Sequence, residues 1–307
     1  MAAEQPDLAE GSTTPGADPS APRRREVVSF VRRGARLTTS RRRAWDRWAE
    51  DYVLDVPRGE RDTVPAEGER IDPDVVFGRR APLVVEIGSG QGENIAAAAA
   101  AHPERDHLAC EVYVPGIAET LDRIQRAGGP RNVRILPLDA QRALPALLPP
   151  ASIDELWIFF PDPWHKTKHH KRRLVNPPLL DAVLPLLKPG AVLRLATDWA
   201  QYASHMRQVL DAEPRLRSLT PHGPRPAGTA TDPLPEELPL TGWAPRFDGR
   251  VLTSFERKAH NAGRLVWDLA YTYAPERLVG AVQPAPGLVS STPIPRTDDA
   301  PQESENS

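Results

Sequence analysis

Short apolar runs alternate with helical stretches at a nearly constant interval, and this spacing constrains the fold more than any other feature. Five β-branched or leucine-rich runs are predicted as strands, over residues 83–87, 108–112, 133–138, 156–160 and 192–196. Their starts lie 25, 25, 23 and 36 residues apart. Successive strand–helix units of this kind predict a parallel sheet with crossover helices on both faces.

Two further strand-like runs follow a proline-rich stretch at 221–240, which we expect to be a long loop. The runs cover 253–258 and 265–271, and Asn261-Ala262-Gly263 between them suits a chain reversal. They predict an antiparallel hairpin that closes the sheet. The expected fold class is therefore α/β, with a seven-stranded, mostly parallel sheet and an antiparallel C-terminal hairpin.

The 307 residues suffice for one or two domains with a buried core. Residues 1–25 and 277–307 lack apolar periodicity, so burial cannot compensate for the entropy lost on ordering them. We predict two disordered tails and a single domain over 26–276 between them.

Cysteine content and hydropathy restrict the compartment. A single cysteine, Cys110, excludes an intramolecular disulfide framework and fits a reducing environment. No run of 18 apolar residues is present, and the amino terminus lacks the basic flank and hydrophobic stretch of a signal peptide. We expect a cytoplasmic protein without a membrane segment or a metal site. We also expect no obligate protein partner, and either a monomer or a homodimer.

The net charge of −2 conceals two strongly basic segments. Between Arg23 and Arg47, ten arginines stand against two acids, which gives +8 in 25 residues. A second run, the basic run 165–173, holds five lysines and arginines and three histidines without an acid. One such segment is often only a solvated surface, but two together favour a nucleic-acid partner.

A glycine-rich turn follows the first predicted strand, with Gly88, Gly90 and Gly92 at alternate positions. Glycines there let the backbone turn tightly and approach a ligand closely. A sharp strand-to-helix turn without a ligand is the alternative interpretation. The G-x-G-x-G spacing differs from the G-x-G-x-x-G fingerprint of nicotinamide enzymes, which disfavours an oxidoreductase.

Three acids stand at or near the ends of the first three predicted strands: Glu86, Glu111 and Asp139. Glu86 can meet a cationic amino group, Glu111 can accept hydrogen bonds from both hydroxyls of a ribose, and Asp139 can bind an adenine amino group. Each acid alone could be a surface cap. Together with the glycine turn they resemble the class I S-adenosylmethionine-dependent methyltransferases, which implies a Rossmann-like fold and S-adenosylmethionine as the cofactor.

The fourth predicted strand runs into Pro161-Asp162-Pro163-Trp164. Because prolines restrict the backbone on both sides of Asp162, its carboxylate is predicted to be a positioned functional group. A turn aspartate beside a packing tryptophan is the alternative. Asn176-Pro177-Pro178-Leu179 superficially resembles an amino-methyltransferase motif, but it lies at a helix start and we predict a cap.

The motif from Phe159 to Trp164, followed by the basic run 165–173, resembles the bacterial tRNA (guanine-N7)-methyltransferases. The similarity spans about residues 27 to 275 in order and includes Ser29 to Arg33, Ala196 to Trp199 and Thr253 to Glu256. It implies methyl transfer from S-adenosylmethionine to N7 of a guanosine in tRNA, in the variable loop, giving 7-methylguanosine. His165 and Ser254 depart from the pattern, which commonly has proline and lysine there.

The resemblance also implies a role for each matching residue. Asp162 would be the catalytic position. Cofactor contacts are implied for Glu86, Gly88, Gly90, Gly92, Glu111, Asp139 and Asp162. Contacts to the guanosine or its neighbourhood are implied for Lys166, Asp198, Thr253, Ser254, Phe255 and Glu256. RNA contacts are implied for Arg32, Arg33, Arg36, Lys168, His169, His170, Lys171, Arg172 and Arg173, the first three within an RNA-binding segment over 26–55.

The chemistry of the base indicates what such a site must supply. Guanine N7 carries an in-plane lone pair, so it can attack a sulfonium methyl without prior loss of a proton. We therefore predict that Asp162, together with Asp198, accepts from guanine N–H groups and offsets the charge that develops on the base. Two alternatives stay open: methylation of an exocyclic base amine, and a non-catalytic RNA-binding protein with a cofactor-type fold.

Overall fold

The computed structural model describes residues 29–30, 36–226, 234 and 238–275. The predicted tails, 1–25 and 277–307, lie outside the described residues, as do Arg32, Arg33 and part of the predicted loop 221–240.

Alternating helices and strands make up the described residues. The helices are α1 Thr39–Tyr52, α2 Pro73–Phe77, α3 Glu93–Ala101, α4 Val114–Arg126, α5 Ala140–Leu147, α6 Pro177–Val183, α7 Ala200–Asp211 and α8 Ser254–Asn261. The strands are β1 Leu83–Ile87, β2 Asp106–Cys110, β3 Val133–Leu136, β4 Ile153–Phe159, β5 Leu187–Thr197, β6 Leu216–Ser218 and β7 Trp267–Tyr273. Two 3₁₀ helices cover Thr167–Arg172 and Leu184–Leu186.

The seven strands form one sheet in the order β3-β2-β1-β4-β5-β7-β6. Strands β1 to β5 are parallel, whereas β7 runs antiparallel to both of its neighbours. The strand order reverses between β1 and β4, and at such a point the carboxyl ends of parallel strands open a crevice. The predicted mostly parallel sheet of seven strands is confirmed.

Helices cover both faces of the sheet, as predicted. One core packs α5, α6 and α7 on Leu83 and Val85 of β1, and the other packs α1, α3 and α4 on Val84. Every residue of β1 is buried because helices cover both faces of the strand. This explains why four of its five residues are apolar, Glu86 being the exception.

The predicted C-terminal hairpin is wrong in its first strand. Residues 253–258 begin helix α8, and the strand that pairs with β7 on the side away from β5 is the three-residue edge strand β6. The Thr253 side chain caps the helix by accepting a hydrogen bond from Glu256 N at 3.2 Å, a Thr-x-x-Glu start that favours a helix. Strand β6 is too short to show a period of two in the sequence.

Within the part of the chain that the structure describes, no helix is long and apolar enough to cross a membrane.

Candidate active site

A cavity of about 290 Å³ opens at the carboxyl ends of β1 to β4. Among the described residues that line it, five are acids and none is a lysine, an arginine or a histidine. The acids are Glu86, Glu93, Glu111, Asp139 and Asp162. Such a cavity favours a cationic ligand, and it disfavours the pyrophosphate of a nicotinamide dinucleotide.

Gly88 and Gly90 line this cavity, whereas Gly92, a third predicted cofactor contact, does not; all three adopt a conformation that favours glycine. Gly88, Gly90 and Gly92 have φ values of 75°, 61° and 71°, in the left-handed region. The turn also requires a glycine at position 116, in the first turn of α4. A Cβ on Gly116 would lie 2.4 Å from the carbonyl oxygen of Gly90. Sequence analysis missed Gly116, whose only signal is its place after Pro115 at a helix start.

Glu86 is a buried acid of the cavity with a strongly raised pKa. Burial raises the pKa of Glu86 to about 8, while the neighbouring Asn94 amide opposes the rise and the Glu111 carboxylate adds to it. Glu86 Oε2 and Asn94 Nδ2 are buried without a hydrogen-bond partner among the described residues. Asn94 is oriented by Val251, whose backbone N–H donates to Asn94 Oδ1 at 3.2 Å. An unused acceptor and donor side by side fit the ammonium and carboxylate of a methionine moiety.

The Glu111 carboxylate already accepts three hydrogen bonds from backbone N–H groups. Its Oε1 accepts from the N–H groups of Val112 and Tyr113, and its Oε2 accepts from Gly90, each at 2.8 Å. Burial raises the pKa of Glu111 although these three hydrogen bonds oppose the rise. A carboxylate has about four acceptor positions, so one remains on Oε2 for a ribose. That Glu111 contacts both ribose hydroxyls stays a prediction, with three of its acceptor positions already taken by backbone N–H groups.

Asp139 combines two roles at the start of α5. Its carboxylate caps the helix by accepting from Gln141 N at 3.2 Å, and it lines the cavity. Burial raises the pKa of Asp139, and the Gln141 hydrogen bond opposes the rise. The structure thus brings the three predicted cofactor acids to one cavity.

The turn that carries Asp162 is fixed by unusual backbone geometry and by contacts on both sides. Phe160 and Trp164 both have φ of 49°, which is costly for bulky side chains and persists only where the surroundings enforce it. Trp164 Nε1 donates to the carbonyl of Ser29 at 3.3 Å, and Arg173 Nε donates to that of Pro163 at 3.0 Å. Asp162 is exposed and lines the cavity, so its carboxylate is accessible to a substrate.

Only some of the residues predicted to contact the guanosine line the cavity. Thr253 and Phe255 line the cavity, and Ser254 N donates to Glu93 Oε2 at 2.6 Å. Lys166 is exposed but does not line the cavity, and Asp198 forms an ion pair with Arg264 at 2.8 Å.

Glu256 does not reach the cavity. It is fully buried, and both of its carboxylate oxygens bind Arg246 and Arg250, at 2.7 to 3.3 Å. Burial opposes ionisation, but these ion pairs lower the pKa of Glu256. The structure therefore contradicts the predicted contact between Glu256 and the guanosine. Both carboxylate oxygens of Glu256 already accept hydrogen bonds from the two arginines, and no sequence pattern predicted these pairs.

The basic run 165–173 forms the 3₁₀ helix Thr167–Arg172, directly after the Asp162 turn. Lys168 and Lys171 are exposed, His169 and His170 are half-buried, and the Arg172 guanidinium lies 4.9 Å from the centre of the Trp164 ring. Arg36, from the other basic segment, is also exposed.

The predicted contact between Arg173 and RNA is wrong, because the Arg173 side chain is buried. Only 4% of it is exposed, and its guanidinium holds Pro163 and lies 5.0 Å from the centre of the Tyr202 ring. A cation used in this way supports the Asp162 turn and is not available to RNA phosphates.

The sheet order, the glycine turn and the acidic cavity at the tips of β1 to β4 together define a Rossmann-like, S-adenosylmethionine-dependent methyltransferase. Residues 80–269 match a family described as "Putative methyltransferase". The chain belongs to the tRNA (guanine-N7)-methyltransferase family, as the resemblance predicted.

This family membership is shown by curated relatives that are similar over most of their length. A tRNA (guanine-N(7)-)-methyltransferase of Cutibacterium acnes is 46% identical over 248 residues, which cover 81% of this chain and 83% of the relative. A second, from Paenarthrobacter aurescens, is 41% identical over 282 residues, with 80% and 90% covered. A third, from Burkholderia cenocepacia, is 42% identical over 266 residues, with 86% and 92% covered.

Proposed function

We propose that this protein transfers the methyl group of S-adenosylmethionine to N7 of a guanosine in tRNA, giving 7-methylguanosine. The observation that carries the proposal is the position of Asp162, which a fixed turn presents to the same acidic cavity that suits a cationic cofactor. The names of the relatives, at 41 to 46% identity, support the substrate.

Each part of the cofactor has a candidate partner in the cavity. Glu86 and Asn94 would bind the amino-acid end, the remaining acceptor of Glu111 a ribose hydroxyl, and Asp139 the adenine amino group. Bound S-adenosylmethionine supplies a methyl group activated by a sulfonium. The acidic lining favours the charged sulfonium cofactor over its neutral thioether product.

Asp162 acts on the base. Because N7 attacks with an in-plane lone pair, the site needs no strong general base, and Asp162 accepts from guanine N–H groups to orient the ring and to offset its developing positive charge. Correct alignment of the two reactants can account for about 7 to 11 kcal/mol of the barrier. The left-handed residues on either side supply that alignment by restricting the turn.

RNA binding is assigned to the exposed cations beside this turn, Lys166, Lys168 and Lys171, and to the basic segment 26–55, of which Arg36 is exposed. Phosphate contacts of this kind weaken as salt rises.

A cytoplasmic location is part of the proposal and is supported by a single, buried, unpaired cysteine. A monomer or homodimer without an obligate protein partner stays a prediction.

The function is tested by incubating the purified protein with unmodified tRNA and labelled cofactor, digesting the RNA and identifying the modified nucleoside. We expect 7-methylguanosine. A base methylated on an exocyclic amine, or cofactor binding without any product, would refute the proposal.

The role of Asp162 is tested by the single-turnover rate of Asp162→Asn at saturating cofactor. We expect a fall of about 100-fold or more, in the range of a lost transition-state contact. Asp122→Asn on the outer face of α4 is the matched control. A rate for Asp162→Asn within about threefold of wild type would contradict the assignment.

A further inference from the structure

The mouth of the cavity presents an electrostatic obstacle to an RNA substrate. Five acidic side chains line the cavity, and Asp162 among them is exposed to solvent, so the mouth of the cavity disfavours a polyanion. A base enters such a cavity only if cations around the mouth hold the phosphates on either side of it. The basic run 165–173 supplies cations beside Asp162, and helix α8 forms another part of the rim.

The first turn of α8 exposes a large aromatic side chain at this mouth. Phe255 lines the cavity and is nevertheless 51% exposed. Its ring lies beside the glycine turn, with Cε2 3.9 Å from the position that a Cβ on Gly90 would take. Exposed rings next to cations are surfaces on which nucleic-acid bases stack, and Lys258 Nζ lies 5.5 Å from the centre of this ring.

Arg257 adds a second cation that is exposed yet held in place. Its side chain is 53% exposed, its Nη1 donates to the carbonyl of Leu252 at 2.9 Å, and its Nη2 lies 3.4 Å from Glu93 Oε1. Glu93 also accepts from Ser254 N, so it ties the start of α8 to α3 beside the cavity. An arginine restrained in this way loses little conformational entropy when it binds a phosphate.

Resting on the proposed function, we propose that Phe255, Arg257 and Lys258 form a second RNA-contact surface, the α8 rim. Arg257 and Lys258 bind backbone phosphates next to Phe255, and Phe255 stacks on a base that borders the target guanosine. With cations on α8 as well as in the basic run, the phosphates stay outside the acidic cavity while the guanine enters it.

The test compares the affinity for unmodified tRNA, measured by filter binding from about 50 to about 200 mM KCl, among matched variants. Arg257→Gln/Lys258→Gln removes both charges, and Arg257→Lys/Lys258→Arg keeps them. Arg217→Gln removes one exposed charge from the distant edge strand β6 and serves as the control. Phe255→Leu keeps an apolar cavity wall and removes the ring.

We expect the double glutamine variant to lose at least about tenfold in tRNA affinity at the lowest salt, and its slope of log K against log salt to be shallower by about 1.4. The charge-preserving variant keeps the wild-type slope, and so does the control within about 0.7. Phe255→Leu binds tRNA at least about fivefold more weakly with an unchanged slope. The double glutamine variant, the charge-preserving variant and the control, whose changed residues do not line the cavity, bind S-adenosylmethionine as the wild type does.

Equal slopes for the double glutamine variant and the wild type would overturn the α8 rim, as would a parallel loss of cofactor affinity. The identity of the methylated nucleoside made by the wild type tests the proposed function separately. A wild type that makes 7-methylguanosine while the α8 variants bind tRNA normally would refute the rim alone.

Discussion

The buried carboxyl of Glu86 makes cofactor binding depend on pH. Burial raises its pKa from an ordinary 4.5 to about 8, which corresponds to about 5 kcal/mol in favour of the neutral form at about 1.36 kcal/mol per pKa unit. At pH 7 the carboxyl of the free protein is therefore about 10% ionised. An ammonium group requires the ionised form, so binding releases a proton.

The expected consequence is a steep gain in affinity between pH 6 and pH 7. Because the competent fraction rises about tenfold over this interval, the dissociation constant for S-adenosylmethionine should fall by nearly the same factor and level off above about pH 8. Titration calorimetry in two buffers of different ionisation enthalpy should show close to one proton released per cofactor bound near pH 6.5.

Stability changes in the opposite direction. The folded protein binds this proton more tightly than the unfolded chain, so the contribution of Glu86 is fully present below pH 4.5 and is lost as pH rises through about 8. Glu86→Gln should bind the cofactor with no pH dependence from pH 6 to 7, and should gain stability relative to wild type as pH rises. Asp139→Asn is the control that keeps the wild-type dependence. A flat profile in the wild type, or the same slope in Glu86→Gln, would refute the reasoning.

Three further predictions follow from single contacts. Gly116→Ala should weaken cofactor binding at least about tenfold and cost about 1 to 3 kcal/mol of stability, because its Cβ would overlap the Gly90 carbonyl; normal cofactor titration and melting would contradict this. Burial lowers the pKa of His107 to about 4, so His107 should cost the protein up to about 3 kcal/mol as pH falls from about 6.5 to 4, seen as a loss in urea unfolding that His107→Phe does not share. Arg173→Ala should lower the melting temperature and the methylation rate together, whereas Lys168→Ala should change only the salt dependence of tRNA binding; matching effects would show that Arg173 is also an RNA contact.

Local pattern was sufficient for part of the fold and failed for β6 and α8, the last two elements before β7. Strand β1 has its predicted bounds, 83–87, since an apolar run closed by a glycine turn has one reading. Residues 253–258, for which a strand is predicted, start α8 instead, because the Thr253 cap and the burial of Glu256 and Ala259, three residues apart, favour a helix. Short edge strand β6 carried no usable signal.

By itself, the sequence determined the succession of the five parallel strands, the acids at their ends and the family, because parallel strands bring their carboxyl ends to a common edge wherever the chain crosses over. Only the tertiary structure decided which charged side chains remain available to ligands. Glu256 is fully buried and bound by two arginines, and Arg173 is buried against Pro163, whereas Asp162 and Arg257 are exposed. The physical reason is that desolvation and ion pairing depend on residues distant in the chain, as when Ser254 meets Glu93 across 161 positions, and no local pattern records such a contact.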